Sequence, residues 1–184
     1  MRTVVEAFAG DPVWSWAFPD NTRRPETLER LWRPIVRQGI VSGGAHLAGD
    51  GDAVTVWVPP GLPEMSTDDE ALVEPLLLAC EPARAAEITE LMHRFAVNRP
   101  MDSHYYLSLF ATATAARGTG LGMALLHHTL TLVDEAGMPA YLESTNPRND
   151  PRYESAGFAV VGSFATPNDG PTVTMMWRES RVDS

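Results

Sequence analysis

The apolar positions change period several times along the chain, and each change predicts an element. Between residues 22 and 38, Leu28, Leu31, Trp32, Ile35 and Val36 recur on one helical face. Pro34 inside that run predicts a kink. Val4, Val5 and Phe8 fit one face of a short helix before it. Residues 45–48 and 53–58 read as two strands, and Gly49, Asp50, Gly51 and Asp52 between them predict a hairpin. Helical spacing returns over 67–97 in two pieces divided near Pro82. A strand over 104–112 leads through small residues to a helix over 118–134, with Leu121, Leu125, Leu130 and Val133 facing the core. Gly137, Met138 and Pro139 stop that helix. Residues 140–144 form the next strand, parallel to 104–112 through a crossover. A short helix over 151–156 and an antiparallel pair over 158–164 and 172–178 complete the pattern. Residues 11–20, DPVWSWAFPD, read as a loop that either plugs the core or walls a pocket.

The stretch 104–122, HYYLSLFATATAARGTGLG, organises the rest. It is a strand, a glycine-rich turn and a helix N-terminus. Free N–H groups in a first helical turn, aided by the helix dipole, favour an anion. Glycine lets backbone approach phosphate oxygens closely, and Arg117 adds charge at the mouth. Gly118, Gly120 and Gly122 are spaced wrongly for the dinucleotide fingerprint, whose third glycine comes one residue later. An oxidoreductase that binds a dinucleotide is therefore a weak rival, although Glu143 falls near the expected acidic position. The phosphate loop of nucleoside triphosphatases needs a lysine, and the chain contains none.

The spacing of Arg117, Gly120 and Gly122 fits [RQ]-x-x-G-x-[GA]. Downstream, YLESTNPRNDPRYESAGF carries Asn146, Asn149, Tyr153, Gly157 and Phe158 in order. Together these resemble the cofactor loop and second motif of the GNAT superfamily of acetyl-CoA-dependent N-acetyltransferases. AFAGDP, AVTVWVPPG and LESTNPRN are similar to the puromycin N-acetyltransferase branch. The resemblance implies one α/β domain over 1–184, with an acceptor-side half (1–103) and an acetyl-CoA-binding half (104–184). Its GNAT fold would be a mixed, mostly antiparallel sheet with helices on both faces and a splayed parallel central pair. The family strand that normally precedes the first helix has no room here, and an edge left open would invite a homodimer.

The same resemblance implies particular site residues. Phe110, Ala111 and Thr112 would lie beside the pantetheine arm, although the family's V-x-P here reads Thr112-Ala113-Thr114. Arg117, Gly118, Thr119, Gly120, Leu121 and Gly122 would hold the pyrophosphate. Asn146 and Asn149 would contact the cofactor or cap a helix. Tyr153 would protonate the departing thiolate. His104 is the first base expected, on the strand face of Tyr106, with Glu143 as runner-up and ordered water a third route. Acetyl would pass from acetyl-CoA to a primary amine of a small molecule by direct attack in a ternary complex. A protein N-terminus or lysine is an alternative acceptor, and a non-catalytic acyl-CoA-binding module is an alternative function.

Composition narrows the partners further. The charge of −10 argues against a nucleic-acid surface and suits a cationic substrate. Cys80 is the single cysteine, so no intrachain disulfide forms. Glu87, Glu90 and His93 are not at metal-ligand spacing, and no metal is expected. No run of apolar residues reaches membrane length, no signal peptide is evident, and a cytoplasmic location is expected.

Overall fold

The computed structural model describes residues 1–181; positions 182–184 of the single-domain span lie outside them. Helices α1 (Arg2–Phe8), α2 (Pro12–Ala17) and α3 (Arg24–Val41) precede a hairpin of β1 (Ala45–Ala48) and β2 (Ala53–Val58). Then come α4 (Thr67–Cys80), α5 (Ala85–Asn98), β3 (Tyr105–Thr112), α6 (Leu121–Glu135) and β4 (Ala140–Ser144). Helix α7 (Asp150–Ser155) and strands β5 (Ala159–Ala165) and β6 (Thr172–Arg178) close the described chain. The six strands form one sheet in the order β1-β2-β3-β4-β6-β5. Every neighbouring pair is antiparallel except β3 and β4.

Helices cover both faces of this sheet. Successive residues of a strand point to opposite sides, and β2 shows the consequence. Val56 packs with Leu28, Ile35 and Ile88 beneath α3 and α5. Its neighbour Trp57 packs with Leu126, Leu130 and Val133 of α6. Because both faces are buried, β2 reads as a continuous apolar run rather than an alternating one.

One irregularity positions the site. In the β2–β3 register Val56 faces Leu109 while Trp57 faces Leu107. Ser108 is therefore an extra residue on β3, a bulge that inverts the strand's alternation. Leu107 packs on the α6 side, whereas Leu109 and Ala111 pack on the α1 and α3 side. The parallel β3–β4 pairing covers only Tyr105 with Ala140 and Tyr106 with Tyr141. Beyond that point the strands diverge.

Segment 11–20 corrects the loop expectation, since its centre is helix α2. Asp11 is the N-cap, its Oδ1 accepting from the N–H of Val13 (3.0 Å) and Trp14 (3.3 Å). Pro12 sits at the first helical position, where its missing N–H is harmless. Two tryptophans and flanking prolines masked that start signal. Helix α6 begins at Leu121 rather than Gly118, because Gly118 (φ +80°) and Gly120 (φ +86°) adopt left-handed conformations. No helix among the described residues is long and apolar enough to cross a membrane.

Candidate active site

A cavity of about 760 Å³ opens where β3 and β4 part. One end is the turn between β3 and α6, and the other is roofed by α2, α3 and α5.

At the turn, the space where a side chain would project from Gly118 or Gly120 is open to 4 Å. Gly120 is the N-cap of the 15-residue α6. The Thr119 hydroxyl accepts from the Leu121 N–H (3.3 Å) and donates to the Ala116 carbonyl (2.7 Å). The remaining first-turn amides have no acceptor within the helix. Arg117 is held beside them by donation from Nε to the Thr112 carbonyl (3.3 Å). Arg148 and Arg152 also line the cavity. An open cradle, unpaired amides and three guanidinium groups fit a pyrophosphate. Gly122 has a different role. A Cβ there would lie 2.2 Å from Thr112 Oγ1 and 3.4 Å from the Phe110 ring, so the glycine lets α6 approach β3.

Asn146 and Asn149 also border the cavity, with their side chains partly engaged. Asn146 Oδ1 accepts from the Arg148 N–H (3.2 Å), capping the turn Pro147–Asn149. Asn149 Oδ1 accepts from Arg152 (2.6 Å). Phe110 and Thr112 line the cavity, whereas Ala111 points into the core on the opposite face. Leu121 lies toward the hairpin near Gly49 and, like Thr119, is not a lining residue.

Tyr153 is buried at the cavity wall, its ring 6.2 Å from those of Phe110 and Phe158. Its hydroxyl has no hydrogen-bond partner among the described residues. Burial, then the nearby carboxylates of Asp11 and Asp150, raises its pKa above the usual phenol value. Asp11 itself is buried, and its Oδ2 accepts from the Thr145 hydroxyl (2.7 Å). Burial pushes its pKa up to about 6.

A second group of lining residues centres on Glu143, whose side chain is only 1% exposed. Tyr106 donates to its Oε2 (2.7 Å) and Tyr141 to its Oε1 (3.1 Å). Arg99 lies 3.9 Å from Oε2. Burial outweighs these favourable contacts and pushes the Glu143 pKa up to about 7. Arg99 stacks over the Tyr106 ring at 3.9 Å and reaches Glu64 at 3.5 Å. Ser108, the bulge residue, donates its hydroxyl to Glu64.

His104 stands apart from this cluster. Its Nδ1–H donates to the Asp102 carbonyl (2.6 Å), and its ring lies against Tyr141 (5.3 Å) and Trp177 (5.5 Å). It is not among the residues that line the cavity. It shares the strand face of Tyr106, as its spacing predicts, but one step too far along.

Sequence reasoning missed Glu64, Arg99, Arg148, Arg152 and Asp11. Glu143 carried the clearest signal, a lone charge within the buried strand AYLES. Arg99 and Glu64 lie at a helix end and in a proline-rich loop, where no periodicity marks them. Among the described residues no group of three or more His, Cys, Asp or Glu side chains could hold a metal ion.

No family model matches the sequence. The chain is 24% identical over 197 residues to an uncharacterised N-acetyltransferase of Schizosaccharomyces pombe, covering 99% of this chain and 79% of the relative. Its structure matches that of a Corynebacterium glutamicum protein described as histone acetyltransferase HPA2 and related acetyltransferase. There the TM-score is 0.69 at 26% identity, over 100% of this chain and 90% of that one. A mosquito arylalkylamine N-acetyltransferase-like protein shares the fold alone, with a TM-score of 0.51 at 16% identity over 78% of each chain. The six-stranded sheet with one parallel pair is thus an acetyltransferase architecture. Both of the first two relatives are named acetyltransferases, the class of protein that the sequence motifs resemble.

Proposed function

We propose that the chain transfers acetyl from acetyl-CoA to a primary amine of a small molecule, by direct attack in a ternary complex. One observation carries the reading. A buried carboxylate with a pKa near 7, Glu143, opens on the same cavity as a glycine turn at a helix N-terminus. That combination serves both ends of an acyl-CoA reaction. The motif resemblance to the puromycin-modifying branch favours the small-molecule acceptor, and use of acetyl-CoA fits a cytoplasmic setting.

Acetyl-CoA supplies an activated acyl group as a thioester. First-turn amides of α6, with Arg117, Arg148 and Arg152, bind its pyrophosphate end. The β4-facing peptide groups of β3 past Tyr106 lack a strand partner and are available to the arm and the thioester carbonyl. Glu143 accepts a proton from the attacking amine, directly or through water. The amine nitrogen forms a bond to the carbonyl carbon, and the carbon–sulfur bond breaks. Tyr153 donates its phenolic proton to the leaving thiolate, and solvent exchange resets both groups. A phenol whose pKa is raised keeps its proton until a strong base forms beside it, as this step requires.

The test is amine-dependent release of free thiol from acetyl-CoA. The expected result is turnover by the wild type and a fall of about 100-fold or more in kcat/KM for Glu143→Gln. Bound acetyl-CoA without turnover across a wide panel of primary amines would contradict the enzyme reading and favour a non-catalytic acyl-CoA-binding module.

A further inference from the structure

The acceptor end of the cavity has an uneven chemistry. Phe95, Trp14, Trp32 and Phe8 form a chain of touching rings. Centroids lie 6.4 Å apart for Phe95–Trp14 (stacked), 4.6 Å for Trp14–Trp32 (edge-on) and 5.6 Å for Phe8–Trp32. All four border the cavity. The charges gather around one guanidinium, Arg99, which follows Phe95 by four residues and is flanked by Glu64 and Glu143.

We infer that the acceptor is a primary monoamine on a flat, uncharged aromatic body, with Glu64 and Arg99 setting that choice. The inference rests on the acetyl-transfer reading above and narrows it. Two carboxylates against one guanidinium leave room for one ammonium. Arg99 is only loosely paired, at 3.5 Å to Glu64 and 3.9 Å to Glu143. An ammonium can therefore enter between the carboxylates without breaking a short ion pair. Arg99 also places a positive charge at this site that repels a second ammonium. Farther along, Asp11 is committed to the α2 amides and Thr145, and Glu6 to the Thr114 N–H. Neither offers a free counter-charge for a second cation. The ring chain favours an aromatic body through apolar burial and ring stacking. A free carboxylate next to the amine would meet two carboxylates, Glu64 and Glu143, against the single guanidinium of Arg99.

The experiment compares 2-phenylethylamine, spermidine, phenylalanine and an alanine-initiated peptide as acceptors with saturating acetyl-CoA. Acetyl-CoA binding is measured separately by calorimetry. The expected result is a kcat/KM for 2-phenylethylamine at least ~10-fold above the other three. Phe95→Ala should shrink that lead. Arg99→Met should raise the spermidine to 2-phenylethylamine ratio ~10-fold, a switch that loss of structure alone would not produce. Preference for spermidine, phenylalanine or the peptide would overturn the inference, as would bound acetyl-CoA with no turnover of 2-phenylethylamine. If a folded wild type fails to bind acetyl-CoA, the acetyl-transfer reading fails instead. Calorimetric binding of 2-phenylethylamine then decides the aromatic site by itself, and its absence overturns it.

Discussion

Glu143 shows how surroundings change the chemistry of one residue. A glutamate in water would be fully ionised well below neutral pH. Here burial raises its pKa to about 7, and two tyrosines and Arg99 keep the carboxyl oriented. In the proposed reaction the ionised form is the base, so activity should rise as pH increases through about 7. The acidic limb of the kcat/KM profile should report that value, and in Glu143→Gln it should vanish together with most of the rate. Tyr106→Phe should move the same limb upward, because the Tyr106 hydrogen bond holds the Glu143 pKa down. Tyr153→Phe removes a hydroxyl with no partner among the described residues. It should therefore lower kcat by ~100-fold while leaving acetyl-CoA affinity and thermal stability nearly unchanged. Glu143 was readable as a lone charge in a buried strand. Arg99 was not, because its role arises from stacking on Tyr106, a contact between distant segments that no local pattern records.

At the scale of elements, local chemistry wrote most of the fold into the sequence. The hairpin at Gly49 to Asp52, strand β4 and helix α6 each follow from a turn signal or a clear period. Helix α2 did not, because its prolines resemble loop punctuation unless Asp11 is recognised as a cap. The bulge at Ser108 was also silent, since it depends on which β2 residue each β3 residue meets. The α6–β3 contact at Gly122 yields a prediction of this scale. In Gly122→Ala the new methyl group meets Thr112 and Phe110, so the Thr112 side chain must rotate or the helix must shift. The expected loss is about 1–3 kcal/mol of stability, read as a lower denaturant midpoint, with weaker acetyl-CoA binding because Thr112 and the turn both line the cavity.

The whole molecule couples the two halves of the chain through one sheet. The β2–β3 pairing joins residues before and after 103, and Asp11 of the first half bonds Thr145 of the second. The two halves should consequently unfold in one calorimetric transition, and acetyl-CoA should raise its midpoint without splitting it. Two separated transitions would contradict that coupling. The net charge of −10 acts at the same scale. It should draw a cationic amine toward the cavity, so kcat/KM should fall as salt is added, with kcat little changed.

The central claim is that the turn at Gly118 to Gly122 holds the pyrophosphate of an acyl-CoA. Calorimetric titration of the wild type and of Gly120→Glu with acetyl-CoA tests it most directly. The carboxylate would enter the open cradle beside the α6 N-terminus and repel the phosphates. The account predicts roughly micromolar binding by the wild type and none by a variant that remains folded. No binding by a folded wild type, or equal binding by both proteins, would contradict it.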